Sequence, residues 1–266
     1  MKVVLFIGSH PRHLFVAETL QKHGFLNAVV MEKREEFLPA PPPGLQELDR
    51  ENFIRHFADR DAAETRQFGH SRQLEMDPEA ILQVDYHNLN SKQVKDWIDA
   101  IQPDVVLTYG VHKISTELLA SFPTYAWNVH GGLSPWYRGN TTLFWPFYFM
   151  KPNWAGMTIH QLTSKLDAGA IIHHAVPELV RGDGLHDVAC RAVKQAAEDI
   201  VMILHKLAKG ESVQPVPQKS SGKLFMTEDW GPQHLRVVYN LFDNDIVDRY
   251  LDGEFGHHEP PLIKAF

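Results

Sequence analysis

Three features of this sequence predict an α/β fold, with a mostly parallel twisted sheet flanked by helices. Apolar runs such as "KVVLFIGS" and "DVVLTYG" are too uniform for one-sided burial and read as strands covered on both faces. Segments with apolar residues at helical spacing alternate with them. The spacing of the first strand, helix and strand is that of a βαβ unit.

The elements follow in order. "KVVLFIGS" (2–9) is the first strand, ended by Gly-Ser. "PRHLFVAETLQKHG" is a helix with Pro11 in its first turn, Leu14, Val16, Ala17 and Leu20 on its apolar face, and Gly24 as its stop. "LNAVVME" is the second strand. Residues 33–89 include the break "LPAPPPG", continue as a charged helical stretch, and are expected to be an inserted surface segment, with a lid or acceptor-binding insertion as the functional alternative. Ser91 caps a helix whose apolar face is Val94, Trp97, Ile98 and Ile101. "DVVLTYG" is a strand, "STELLASFP" a short helix capped by Ser115, and "AWNVH" a strand. "TTLFWPFYFM" reads as an aromatic-rich helix whose rings (Phe144, Trp145, Phe147, Tyr148, Phe149) belong to packing. "GMTIHQLT" and "AGAIIHHAVPE" are later strands. A long amphipathic helix then runs from a cap at Asp183 to Gly210. This pattern predicts a Rossmann-like catalytic domain over 1–210. A small C-terminal hairpin/helix appendage is expected over 211–266, with the hairpin turning at Ser220-Ser221-Gly222 and serving as a homodimer or acceptor-binding element.

Composition narrows the function. The formal net charge of −7 argues against a nucleic-acid partner, which needs a basic face. No stretch approaches the roughly 20 apolar residues of a membrane span. Cys190 is the single cysteine, which excludes an internal disulfide and suits a reducing, cytoplasmic compartment; its place in a helix pattern makes it a buried small residue. The pairs His173-His174 and His257-His258 lack the spacing and companions of a metal site, so no metal is expected.

Ligands in open α/β sheets bind beyond the carboxyl ends of the strands. Three such ends carry polar groups: Gly8-Ser9-His10, Thr108-Tyr109-Gly110 and Asn128-Val129-His130. Asn128 and His130 stand at i and i+2 and share one face of their strand. A carboxamide donor beside an imidazole suits acyl transfer, the amide stabilising an oxyanion and the imidazole moving a proton. "KLDAGAII" supplies a carboxylate, Asp167, in a loop before an apolar strand, within reach of the same cleft. No G-x-G-x-x-G follows the first strand, so the dinucleotide fingerprint is absent. Ser9, His10 and Arg12 at the first helix could hold an acceptor phosphate, or serve only as a cap and a solvated arginine.

"NVHGGLSPWYRG", the strand "GMTIHQL" and the downstream "LDAGAII" together resemble the formyltransferase superfamily. The matching positions are Asn128 and His130, Ser134-Pro135, Tyr137-Arg138-Gly139 and Asp167-Ala168-Gly169. The likeness covers roughly residues 3–172 and is most specific over 104–172. It implies 10-formyltetrahydrofolate as co-substrate and a small-molecule amine as acceptor. It also implies Asn128 and His130 as oxyanion ligands, with Asp167 orienting the imidazole or relaying the proton. The family's folate pocket maps onto Thr108, Tyr109, Gly110, Val111, Ile114, Thr163 and Leu166. Tyr137 and Arg138 are expected either to bind the acceptor or to lock the turn. The tail is shorter than the tRNA-binding domain of methionyl-tRNA enzymes and longer than expected for glycinamide ribonucleotide enzymes. That points to an amino sugar linked to a nucleotide. Formyltetrahydrofolate hydrolysis and a folate-binding protein with a degenerate site are the alternatives, and the retained Asn128, His130 and Asp167 argue against the second.

Overall fold

The computed structural model describes residues 1–34, 37–69, 74–219 and 222–266. Its elements are β1 (Val3–Gly8), α1 (Pro11–Lys22), β2 (Leu26–Glu32), α2 (Glu47–Phe68), β3 (Ile81–Val84), α3 (Lys92–Ile101), β4 (Val105–Tyr109), α4 (Thr116–Leu119) and β5 (Tyr125–His130). There follow β6 (Tyr137–Gly139), α5 (Trp145–Tyr148), β7 (Met157–Gln161), β8 (Ile171–Ala175), α6 (Leu185–Ala208), β9 (Lys223–Phe225) and α7 (Ile246–Leu251). Seven strands form the main sheet in the order β3-β2-β1-β4-β5-β7-β8. The first five pair in parallel, and β7 runs antiparallel to both β5 and β8.

The pleat explains why the first strand is apolar throughout. Val3, Leu5 and Ile7 face a layer made with Val16, Ala17 and Leu20 of α1 and Val193, Ala197 and Ile200 of α6. Val4 and Phe6 face the opposite layer, with Val94 and Ile98 of α3 and Leu118 of α4. Period 2 along the strand meets period 3.6 along the helices on both sides. The expected caps hold at α3 and α4, where Ser91 accepts from Val94 N–H and Ser115 from Leu118 N–H. The cap of α6 is Gly184 instead, because Asp183 pairs with Arg191 at 2.6 Å while Asp187 reaches back to Gly184 N–H. The aromatic helix shrinks to one turn, α5, and the chain leaves it through Met150 at φ +55°.

Two larger expectations change. The segment 33–89 is woven into the fold. Its strand β3 forms the sheet edge, and α2 lies on α1 and α6 with Ala63 and Phe68 in the core. The helix was legible from its charge pattern, but its apolar positions are too sparse to announce a buried side. The tail also differs. Ser220 and Ser221, the expected hairpin turn, lie outside the described residues. The arms on either side do not pair with each other: Val216 bridges Ile171 of β8, and β9 pairs in parallel with β6. Phe225, Leu235, Val238, Tyr239, Ile246 and Val247 pack with Leu133, Phe144, Trp145 and Leu185 in one cluster. These tail residues are thus packed on their own chain, while Leu224, Met226 and Leu241 stay exposed.

The end of the chain is tied down by the His173-His174 pair, whose side chains diverge across β8. His173 Nδ1 accepts from Ala265 N–H at 3.0 Å, and its Nε2 lies 2.8 Å from the Asp199 carboxylate. His174 Nδ1 accepts from Ile263 N–H at 3.0 Å and its Nε2 donates to Ser134 O at 2.8 Å. Replacing His173 by Phe leaves Asp199 buried without its imidazole. His173→Phe is expected to destabilise the protein by about 3 kcal/mol in chemical denaturation, and to increase amide exchange at 263–265 before the rest of the fold.

Candidate active site

The carboxyl ends of β4 and β5 and the start of α1 open into one cavity of about 860 Å³. Asn128, His130 and Asp167 all line it. The first two arrive on the same face of β5. Asp167 arrives from the loop between β7 and β8, in the left-handed region at φ +44°, which Asp tolerates better than most residues. Its Oδ2 lies 3.5 Å from His130 Nδ1 and accepts from Gly139 N–H at 2.8 Å.

Hydrogen-bond partners fix the orientation of each group. The Thr108 hydroxyl donates to Asn128 Oδ1 at 2.7 Å, so the carboxamide nitrogen points the other way, to His160 Nε2 at 3.2 Å. The amide nitrogen can only donate, so His160 Nε2 accepts, while its Nδ1 donates to Gln161 O at 2.9 Å. His130 Nε2 lies 2.8 Å from Tyr137 O and must carry the proton there, which leaves Nδ1, facing Asp167, as the basic nitrogen. Burial lowers the His130 pKa, against the pull of the Asp167 carboxylate. Burial alone would raise Asp167, but His130, His160 and the Gly139 N–H outweigh it and bring its pKa down to about 2. The resting site therefore pairs a neutral imidazole with an ionised carboxylate.

Every residue expected at the folate pocket lines the cavity: Thr108, Tyr109, Gly110, Val111, Ile114, Thr163 and Leu166. Gly110 is required by geometry. Its φ is +68°, and a Cβ there would sit 2.2 Å from His13 Nε2. The residues expected at the acceptor divide. Arg12 lines the cavity, but its guanidinium pairs with Glu64 at 2.7 Å and its N–H donates to the same carboxylate at 3.3 Å. A carboxylate at the start of α1 repels a phosphate, so this helix end is a closed cap. Ser9 accepts from Arg34 N–H and His10 stacks on His13; neither lines the cavity. The Tyr137 ring stacks on Phe225, and Arg138 donates to Gly222 O at 2.8 Å, so both secure the turn rather than face an acceptor.

Two residues of the site escape sequence reasoning. His160 stands opposite Asn128 in the β5–β7 pairing, and its Nε2 is 3.5 Å from Asp167 Oδ1. A histidine inside the apolar strand "GMTIHQLT" was the available signal. Gln218 comes from the tail. Its Nε2 donates to Asp167 O at 2.9 Å and to Gly169 O at 2.7 Å, clamping the loop from outside. Nothing local marks it. Gly169 is pinned from the other side, since a Cβ there would lie 1.8 Å from Gln161 O.

Two measurements check this geometry. In NMR titration, the His130 imidazole is expected to titrate below the ordinary 6.5. Asp167→Asn should lower it further, because the carboxylate is the group that favours the charged form; a rise would contradict the pairing. Gln218→Leu removes both donors to the loop and should cut turnover about tenfold through displacement of Asp167. Its melting temperature should stay close to that of the parent.

A family model described as formyl transferase matches residues 56–204. Among solved structures, the chain is similar to phosphoribosylglycinamide formyltransferase from Anaplasma phagocytophilum, with 17% identity, 85% of this chain and 98% of that one covered, and a TM-score of 0.55. It is also similar to the formyltransferase PseJ from Anoxybacillus kamchatkensis, solved with UDP-4,6-dideoxy-4-formamido-L-AltNAc and tetrahydrofolate: 16% identity, 92% and 95% covered, TM-score 0.55. A third is the N-formyltransferase from Helicobacter canadensis, in complex with folinic acid and dTDP-3-aminofucose: 15% identity, 87% and 73% covered, TM-score 0.54. At such identities these structures speak for the fold. The family match covers more than half of the sequence: the chain is an enzyme of the formyl transferase family.

Proposed function

We propose that the protein is an N-formyltransferase that moves a formyl group from 10-formyltetrahydrofolate to a primary amine on a nucleotide-linked amino sugar. The convergence of Asn128, His130 and Asp167 on one cavity carries the reading. The loops 108–114 and 162–166 offer backbone polar groups and apolar walls that fit a pterin.

In the reaction, the amine nitrogen bonds to the formyl carbon, the bond from that carbon to folate N10 breaks, the amine loses a proton and N10 gains one. Asn128 directs an amide N–H toward the developing oxyanion because Thr108 and His160 hold its carboxamide in one orientation. His130 enters the step neutral, so Nδ1 can take the amine's proton. The imidazolium formed is stabilised by Asp167 at 3.5 Å, and its proton is then available to N10. Asp167 thus raises the basicity of His130 without titrating near neutral pH.

The sugar acceptor is supported by the tail, which contributes Thr227 and Trp230 to the cavity wall, and by the sugar nucleotides named in the PseJ and Helicobacter canadensis structures, formylated in the first and carrying a free amine in the second. The net charge of −7 weighs against tRNA. No helix among the described residues is long and apolar enough to cross a membrane, and we place the reaction in the cytoplasm. The test is incubation of the purified protein with 10-formyltetrahydrofolate and a panel of UDP- and dTDP-linked aminodeoxyhexoses. Mass spectrometry is expected to find one formylated sugar. Asn128→Ala and His130→Ala should each lower kcat/KM by about 100-fold or more. Formate release without any formylated sugar would replace this reading with folate hydrolysis.

A further inference from the structure

The cavity wall also carries residues that formyl transfer does not use. His56 of α2 and His186 of α6 meet there with ring centroids 4.5 Å apart. Trp230 of the tail lies 6.1 Å from His56, inclined by 39°, and Phe144 stands edge-on at 6.3 Å. All four residues line the cavity. Both imidazoles are more than nine-tenths buried. His56 Nδ1 lies 3.1 Å from the Tyr239 hydroxyl, whereas His186 Nε2 has no hydrogen-bond partner among the described residues.

Charge shapes what this part of the wall accepts. Burial, and then Arg60, brings the His56 pKa down to about 3. Burial, His56 and Arg60 push His186 well below its ordinary range. Two neutral imidazoles result; the Tyr239 hydroxyl takes one nitrogen of His56, which leaves one on that ring and Nε2 of His186 for a ligand, each a donor or an acceptor according to its tautomer. Arg60 nearby disfavours an ammonium group. A hydroxyl both donates and accepts, and so matches a neutral imidazole from either nitrogen. The flat aromatic walls suit the C–H face of a saturated ring. A buried polar atom without a partner is costly, and a ligand that bonds it recovers that cost.

We propose that His56 and His186, walled by Trp230 and Phe144, form the subsite for the hydroxylated pyranose ring of the acceptor. The proposal rests on the N-formyltransferase reading and deepens it. The ring would lie across the cavity from the folate loops, its hydroxyls on the two imidazoles and its amine toward Asn128 and His130.

The experiment compares the full-length protein with His186→Phe and His186→Gln, using the aminodeoxyhexose nucleotides of the panel above. His186→Phe should raise the acceptor KM at least tenfold and leave the KM for 10-formyltetrahydrofolate within twofold. His186→Gln, whose carboxamide again donates and accepts, should stay within threefold of the parent. Calorimetric titration with the same sugar nucleotides reads the subsite without turnover, and UDP and dTDP alone should bind all three proteins equally. An unchanged acceptor KM in His186→Phe overturns the subsite, as does failure of every panel sugar to bind the parent. Weakened binding of UDP or dTDP alone overturns it too, by assigning the imidazoles to the nucleotide. Binding without formylation keeps the subsite and instead defeats the transfer reading.

Discussion

A buried carboxylate needs polar neighbours, and the Asp167 carboxylate collects its own from distant parts of the chain. The imidazole of His130 comes from β5, that of His160 from β7, and an N–H from Gly139 of β6. The loop that carries Asp167 is itself held by Gln218 of the tail and by the tight fit of Gly169 against Gln161. These contacts keep Asp167 ionised while His130 beside it stays neutral. In the proposed transfer, that division leaves His130 as the base for the amine's proton, beside a carboxamide that Thr108 and His160 hold in one orientation.

Both segments that composition sets apart from the core take part in this arrangement. The helix α2 brings His56 and Arg60 to the cavity and Glu64 to the start of α1. The tail extends the wall beside this helix with Trp230, reaches Asp167 through Gln218, and runs back along β8, where His173 and His174 anchor residues 263–265. The cavity is therefore finished by elements outside the sheet. In the proposed enzyme the sheet supplies the transfer chemistry, and the flanking segments supply the acceptor's surroundings.

Much of this was legible from local pattern. The apolar run at residues 3–7 announced a doubly covered strand, and it contributes side chains to both hydrophobic layers. Asn128 and His130 could be placed on one face because strand periodicity is strict. His160 was visible only as a polar residue in an apolar strand, since its value comes from lying opposite Asn128 across an antiparallel pair. Gln218 gave no signal at all, because a glutamine in a polar stretch looks the same whether it is solvated or spans the fold. Ser9, His10, Tyr137 and Arg138 could be read from sequence either as ligand contacts or as caps and turn locks, and their hydrogen bonds and stacking partners within the protein are seen only in the fold.

By itself the sequence determined the alternation of strands and helices, the face shared by Asn128 and His130, and the membership that this motif announces. These depend on spacing within a few residues, where backbone geometry leaves few choices. The tertiary structure alone decided which side of α2 is buried, where β3 pairs, that the tail joins β6 and β8 rather than folding on itself, and that His56 meets His186. Those outcomes come from contacts between residues more than a hundred positions apart in several cases. Such contacts are chosen by the total surface buried and the polar groups satisfied, and neither quantity is written in any single stretch of the chain.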